Sequence, residues 1–120
     1  MATQLEQEIR RILQDAKDPK GPVYAYLTAH QILNRLPASI RDPLIQKRGG
    51  VGLGSGASFS PTRDIGIAIE AMGDEIERAV FDARGAHFDV AGQSVPAGYP
   101  LIAIYRINKD KLGDVPGGAE

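Results

Sequence analysis

"SPTRDIGIAIEAMG", residues 60–73, decides most of what the sequence predicts about the fold. Ser60 is a favourable N-cap, and Pro61 fits the first turn because the amide that proline lacks would have no helical partner there. The apolar residues that follow at helical spacing are Ile65, Ala68, Ile69 and Met72. Gly73 accepts the left-handed conformation that ends many helices. The stretch therefore predicts an amphipathic helix with one buried face.

The chain before this helix predicts two regular helices, a short strand and a less regular helix. Both regular helices begin with the spacing of a capping box, in which threonine precedes Glu or Gln by three residues. The two pairs are Thr3 with Glu6 and Thr28 with Gln31. Apolar spacing carries the first helix to about residue 17, and Pro37 ends the second. Residues 23–27 between them favour a strand, and residues 38–48 predict a helix restarted at Asp42-Pro43.

The chain after Gly73 changes to a strand pattern. Strands are predicted at residues 76–82, 86–90 and 101–107, with glycine and proline clusters as turns between them. The last strand, LIAIYRI, is apolar on both faces and is expected to be the most buried. We expect one α+β domain over residues 1–107, with three to four helices followed by a small antiparallel sheet, and a disordered tail over 108–120.

This order of elements resembles the winged helix-turn-helix fold. "YLTAHQILNRLP", residues 26–37, resembles its short strand and second helix. The stretch 60–73 is similar to its third, recognition helix, and residues 79–107 resemble the two strands and wing that follow. The resemblance implies a winged-helix-like domain that binds double-stranded DNA through the helix over 60–73.

The candidate nucleic-acid contacts lie on this helix and on the segment before it. Basic side chains hold phosphates, and polar side chains reach base edges. The candidates are Arg41, Lys47, Arg48, Thr62 and Arg63. Residues 1–58 hold eight Lys/Arg against five Asp/Glu, a smaller basic excess than DNA-binding domains usually carry. The first functional hypothesis is a small non-enzymatic DNA-binding protein, such as a transcriptional regulator or accessory factor.

Two residues on the outward side of the same helix favour a protein partner instead. Ile67 lies outside the buried stripe and is expected to be exposed, and Glu70 would repel phosphates. The second hypothesis is therefore a protein-interaction module on a winged-helix scaffold without DNA binding. A homodimer is compatible with either hypothesis, with the first helix as a candidate interface.

The glycine-rich segment Gly49–Gly56 gives a third hypothesis, a phosphate or nucleotide ligand. Gly52, Gly54 and Ala57 fit a relaxed dinucleotide fingerprint. That fingerprint requires a preceding strand, whereas residues 43–48 read as the end of a basic helix. No Gly-Lys-Ser/Thr follows, so the lysine of a P-loop is missing. We interpret the segment mainly as a flexible loop, and we predict no bound cofactor.

Composition argues against several kinds of chemistry. The chain has no cysteine, which excludes a thiol nucleophile and thiolate metal ligands. His30 is expected to be exposed in the first turn of the second helix, and His87 with Asp89 supplies too few ligands for zinc. The acidic run from Asp74 to Glu77 reads as a solvated turn. We predict no metal site and no enzymatic activity.

The sequence also bears on location. No apolar run approaches the roughly 18 residues that a membrane-spanning helix needs. The N-terminal residues MATQLEQEIRRI are charged and lack the apolar core of a signal peptide. These features predict a cytoplasmic protein that does not bind membranes.

Overall fold

The computed structural model describes residues 3–48, 61–96 and 100–112. The helices are α1 (Gln4–Asp15), α2 (Ala29–Arg35), α3 (Ala38–Arg48), α4 (Pro61–Met72) and α5 (Lys109–Leu112). The strands are β1 (Leu27–Thr28), β2 (Ile76–Asp82), β3 (His87–Val90), β4 (Gln93–Pro96) and β5 (Leu101–Ile107), and a 3₁₀ turn over Gly73–Glu75 precedes β2. The predicted α+β class with antiparallel strands is confirmed.

The predicted helix ends are confirmed at two positions. At the start of α2, the Gln31 amide donates to Thr28 Oγ1 at 3.1 Å, and the Thr28 amide donates to Gln31 Oε1 at 2.9 Å. This reciprocal pair is a complete capping box. At the end of α4, Gly73 has a φ of 62°, which a side chain would strain. Both positions are fixed by local sequence and do not depend on the rest of the fold.

Three antiparallel strands form the main sheet, in the order β1-β5-β2. The central strand pairs on one side with β1, where Leu27 lies opposite Tyr105, and on the other with β2, where Ile76 lies opposite Ile107. β1 is shorter than the strand predicted over 23–27, and Tyr24 forms an isolated bridge to Lys17 instead. The sheet therefore joins segments from both ends of the chain.

The main hydrophobic core lies between α1, α2, α4 and one face of this sheet. The apolar helical side chains with no exposed surface are Ile9, Leu13, Ile32, Leu33, Ile65 and Ile69. Each such side chain stabilises the fold by about 1.5–3 kcal/mol through the apolar surface it removes from water. The helix α3 packs on the rim of the core through partly buried Ile40, Leu44 and Ile45, the residues predicted to face inward.

The hairpin formed by β3 and β4 docks on α2. Its two-residue turn, Ala91-Gly92, has positive φ at both positions, which matches the right-handed twist of the flanking strands. Val90 and Val95 are buried in the main core. The Ala91 amide also donates to the side-chain oxygen of Asn34 in α2 at 3.0 Å. The prediction missed β4, because its residues Gln93–Pro96 have weak strand propensity and are ordered by pairing with β3.

The expected exposure of His30 is wrong, because the hairpin covers the first turn of α2. The His30 ring has no exposed surface and stacks on Phe88 with ring centroids 4.6 Å apart. Neither ring nitrogen has a hydrogen-bond partner within the described ranges. Burial lowers the pKa of His30 below its ordinary value, because the charged ring would lose its hydration. The ring therefore acts as a neutral aromatic side chain between α2 and β3.

The expected disorder from residue 108 onward is corrected at its first residues. The Asn108 amide donates to the Glu75 carbonyl at 2.9 Å, and its side-chain amide donates to the Asp74 carbonyl at 3.0 Å. These bonds hold the end of β5 against the 3₁₀ turn over Gly73–Glu75. One helical turn, Lys109–Leu112, follows. Residues 113–120 lie outside the described part of the chain. Within the described ranges, no helix combines the length and apolar character needed to cross a membrane.

The capping box of α2 gives a test of local stability. We expect Thr28→Ala to lower the free energy of unfolding by about 1 kcal/mol relative to Thr28→Ser, because serine keeps the capping oxygen and alanine removes it. Urea denaturation followed by circular dichroism measures the difference. Equal stability of the two variants would contradict the contribution assigned to this cap.

The burial of His30 gives a test of pH dependence. Below about pH 6.5 the unfolded chain protonates His30, whereas the folded chain resists protonation, so acidification decreases the free energy of unfolding. We expect His30→Phe, which keeps the stack on Phe88, to flatten this dependence between about pH 7.5 and about pH 5.5. His87→Phe, at an exposed position of β3, is the matched control and should retain it. An unchanged slope in the His30 variant would contradict the account.

Candidate functional site

An open groove of about 450 Å³ runs between the outward side of α4 and the first half of β5. The residues that line it are Thr62, Arg63, Gly66, Ile67 and Glu70 of α4, Leu101, Ile102, Ala103 and Tyr105 of β5, and Ala29 of α2. The groove exists because β5 extends past the helices that cover its other end. Ile107 is buried at the covered end of the strand, and Leu101 is exposed at the open end. The strand is more buried than β2, as predicted, but Leu101 and Ala103 in its first half are exposed.

Apolar side chains are exposed on both walls of the groove. Ile67 on α4 is 54% exposed and Leu101 on β5 is 52% exposed. The neighbouring strand adds Val80, which lies opposite Ala103 on the same sheet face and is 69% exposed. Grouped exposed apolar side chains rimmed by polar residues are typical of protein-binding surfaces. The expected outward orientation of Ile67 is confirmed.

Opposite charges lie at the two ends of the α4 wall. Arg63, Ile67 and Glu70 occupy positions i, i+4 and i+7 of the helix, so they share one face over about 10 Å. Arg63 and Glu70 are both exposed, and Glu70 lies outward as predicted. Neither of them forms an ion pair within the described ranges. The wall therefore presents a positive end, an apolar centre and a negative end.

Tyr105 lines the groove from β5 and places a neutral phenol there. Burial raises the pKa of Tyr105 above its ordinary value, and the charge of Glu70 adds to the rise while Arg78 opposes it. The phenol therefore remains protonated at neutral pH and is able to donate and accept hydrogen bonds.

The structure corrects the predicted role of Thr62. Thr62 is 2% exposed, so it does not reach a nucleic-acid base or phosphate. It lies three residues before Ile65 and seven before Ile69, on the buried stripe of α4. Helical spacing identified the buried stripe from Ile65 onward. Extending that spacing backward by one turn would have predicted that Thr62 is buried.

Carboxylates neutralise two of the predicted phosphate contacts. Lys47 at the end of α3 lies with its Nζ 3.5 Å from Asp64 Oδ1 in α4. The Nε of Arg41 donates to Asp42 Oδ1 at 3.0 Å. Arg63 is exposed in α4, whereas nothing is described of the side chain of Arg48. The structure thus brings the C-terminal end of α3 beside the N-terminal turn of α4, but with Asp64 inserted among the cations.

Ion pairing is common over the rest of the described surface. The arginines paired with a carboxylate are Arg10 with Glu75, Arg11 with Glu8, Arg84 with Asp82 and Arg106 with Glu77. These pairs reduce the positive potential that attracts nucleic acid. No group of three or more His, Asp or Glu within the described ranges is arranged to hold a metal ion. The glycine-rich segment and Ser60 lie outside those ranges, so the predictions made for them stay predictions.

No protein-family model, no curated protein and no solved structure matches the chain. We therefore infer the function from the groove, its charges and the fold that positions them.

Proposed function

We propose that this protein is a non-enzymatic protein-interaction module that binds a segment of a partner protein in the groove between α4 and β5. The observation that carries the proposal is the pair of exposed apolar walls, with Ile67 on one side and Leu101 on the other. Burying about half of each of these side chains would favour association through the hydrophobic effect. The few polar groups of the groove would then fix the orientation of the bound segment.

A winged-helix-like scaffold is part of this proposal. The three-stranded antiparallel sheet has β1 from before α2 at one edge, and its other two strands, β2 and β5, follow α4 with β5 in the centre and a smaller hairpin inserted between them. This arrangement supports the resemblance to the strands and wing of that family. The helix α3 stands between α2 and α4, where the family has a tight turn, and it leaves the outward side of α4 facing the groove.

The charges of the groove define the chemistry of the segment that would fit. An acidic side chain would lie beside Arg63, apolar side chains would contact Ile67 and Leu101, and a basic side chain would lie beside Glu70. The charged positions would be separated by about 10 Å, the rise of seven helical residues. Charges at the rim of an interface contribute mainly to orientation and specificity, and the apolar centre contributes most of the affinity.

The proposal is tested with a random peptide library displayed on phage and selected on the immobilised protein. We expect the selected peptides to carry the acidic, apolar and basic pattern, and Ile67→Asp to weaken their binding by about tenfold or more, which corresponds to about 1.4 kcal/mol. Val23→Asp is the matched control, because Val23 is a similarly exposed apolar residue outside the groove. Equal binding by both variants would contradict the groove assignment.

A second variant distinguishes a blocked groove from a damaged fold. A Cβ atom at Gly66 would meet no atom within 4 Å, so a side chain is accommodated there and projects into the groove. We expect Gly66→Leu to retain or raise the melting temperature, because leucine is a better helix former than glycine, while the selected peptides lose affinity. Undiminished binding in this folded variant would overturn the proposal.

DNA binding is the second candidate function, and one feature favours it. The N-terminal turn of α4 carries exposed Arg63, and Lys47 contacts Asp64 of the same turn, so two basic residues lie at a helix start, whose positive dipole end attracts phosphate. In this candidate function Arg63, Arg41, Lys47 and Arg48 would hold the phosphates of double-stranded DNA. Asp64 beside Lys47 and Glu70 on the outward side of α4 weaken it, so we place it second.

Fluorescence anisotropy of a labelled DNA duplex, measured at about 50 mM and about 200 mM salt, tests this candidate function. If several phosphate contacts hold the duplex, its affinity should fall steeply over this range of salt. If the duplex is bound, Arg63→Ala should weaken binding to all sequences and reduce the salt dependence. Arg84→Ala, at an exposed arginine beyond the end of β2, is the control. Binding that is unchanged by Arg63→Ala, or no binding at low salt, would exclude these residues as a DNA site.

A further inference from the structure

The strand β2 presents an unpaired edge. All seven residues of Ile76–Asp82 pair with β5 on one side. On the other side, no strand of the described ranges pairs with β2. An edge strand of this length is a template for pairing with another chain.

The direction of the free backbone groups follows from two bonds that flank the ladder. The Ala83 amide donates to the Pro100 carbonyl at 2.8 Å, and the Asn108 amide donates to the Glu75 carbonyl at 2.9 Å. Residues 83 and 75 therefore point their backbone groups toward β5. Since these directions alternate along an antiparallel strand, the even-numbered residues point theirs away from β5. At Ile76 both groups are already used, because its amide donates to the Gly73 carbonyl and its carbonyl accepts from the Arg78 guanidinium at 3.2 Å. The free edge thus consists of the amides and carbonyls of Arg78, Val80 and Asp82.

The side chains of the same residues favour a particular occupant. Val80 is the most exposed of the large apolar side chains described, at 69%. Arg78 and Asp82, both exposed, lie two residues before and two residues after it. Charged residues at an edge often prevent pairing with other strands. Opposite charges placed symmetrically about an apolar residue are instead complementary to a second, antiparallel copy of the same strand.

We infer that β2 pairs antiparallel with β2 of a second copy of this chain, about a two-fold axis at Val80. Each Arg78 then lies opposite Asp82 of the other copy, and the two Val80 side chains lie opposite each other. The outward backbone groups of all three positions meet as hydrogen-bonded pairs, giving about six interchain bonds. Closed two-fold pairing through one shared patch is the commonest arrangement of protein dimers.

Other positions of the axis fit the charges less well. A two-fold axis at Arg78 places the Arg78 residues of the two chains opposite each other. An axis at Ala79 places Asp82 opposite Ile76, which is buried under the helices. An axis at Phe81 places Arg78 opposite Arg84. Like charges directly opposite each other destabilise a strand pair, so Val80 is the position that charge complementarity selects.

The paired carboxylate is already ionised and has acceptor sites left. Hydrogen bonds from Arg84 lower the pKa of Asp82 below its ordinary value, so it is charged at neutral pH. A carboxylate accepts about four hydrogen bonds, and the amide, Nε and Nη2 of Arg84 supply three, which leaves acceptor capacity for Arg78 of the second copy. Arg78 is unsuitable for substitution, because its guanidinium also donates to three backbone carbonyls of its own chain, those of Ile69, Gly73 and Ile76.

The oligomeric state of the full chain tests the inference by sedimentation velocity over a series of protein concentrations. We expect a reversible monomer–dimer equilibrium, because one strand pair makes a small interface. Val80→Pro removes an outward amide without removing a bond to β5, and proline is tolerated on the solvent side of an edge strand. It should raise the dissociation constant by about tenfold or more, and Val80→Thr, which keeps the amide, should leave it within about twofold.

A cross-linking experiment tests the register. The chain has no cysteine, so Val80→Cys introduces a single thiol. Directly opposite residues in such a pair have Cα atoms about 5.5 Å apart, within the span of a disulfide. We expect mild oxidation to yield a covalent dimer from Val80→Cys and little from Val23→Cys, which is also exposed but lies off the edge.

Three results would overturn the inference. They are a monomer at every concentration, a dimer whose dissociation constant Val80→Pro leaves unchanged, and equal cross-linking of the two cysteine variants. Asp82→Arg supplies an independent check, because it places two arginines opposite each other and should weaken the dimer. None of these outcomes depends on whether the α4–β5 groove binds a peptide.

Discussion

The constraint on which the rest of the structure depends is the central position of β5. This last long strand pairs on one side with β1, from between the first two helices, and on the other with β2, which follows α4. Its buried residues, Ile102 and Ile107, belong to different clusters on opposite faces of the sheet. The helices have no complete sheet face to cover until this strand is in place. Contacts between distant segments of a chain cost loop-closure entropy before they stabilise it, so the sheet is the non-local step of folding.

The candidate groove follows from the same constraint. The helices α1, α2 and α4 cover the end of the sheet where Ile76 and Ile107 meet, and β2 and β5 continue beyond that cover as a paired ribbon. The outward side of α4 faces the uncovered part, so one helix contributes a buried stripe to the core and an exposed wall to the groove. The uncovered ribbon also bears Val80 on its free edge. Surface that a monomer leaves apolar in this way is commonly used for association.

Much of the fold was predictable from local sequence, because local chemistry decides it. The threonine caps, the Gly73 terminator and the buried stripe of α4 depend on residues within one or two helical turns. The strands β2 and β5 were recognisable from their composition and spacing. The outward placement of Ile67 was also predictable, since it departs from the stripe that its neighbours define. These successes concern single elements and the faces they bury.

The features that the sequence did not predict correctly are contacts between different helices and strands. The burial of His30 depends on a hairpin some sixty residues further along the chain, which stacks Phe88 on it. The pairing of Lys47 with Asp64 depends on how α3 meets α4, and no local pattern indicates it. The strand β4 is ordered by β3 and a turn, despite its weak propensity. Thr62 is different, because its position on the stripe was readable from the same spacing that placed Ile65 inside.

The central claim is that the exposed face of α4 and the first half of β5 bind a protein segment together. Methyl NMR of the isoleucine- and leucine-labelled protein, titrated with a peptide selected on it, tests this most directly. We expect the methyl resonances of Ile67 and Leu101 to shift together and saturate at one peptide concentration, while those of buried Ile9 change little. Shifts confined to residues outside the groove, or shifts of Ile67 without Leu101, would contradict it.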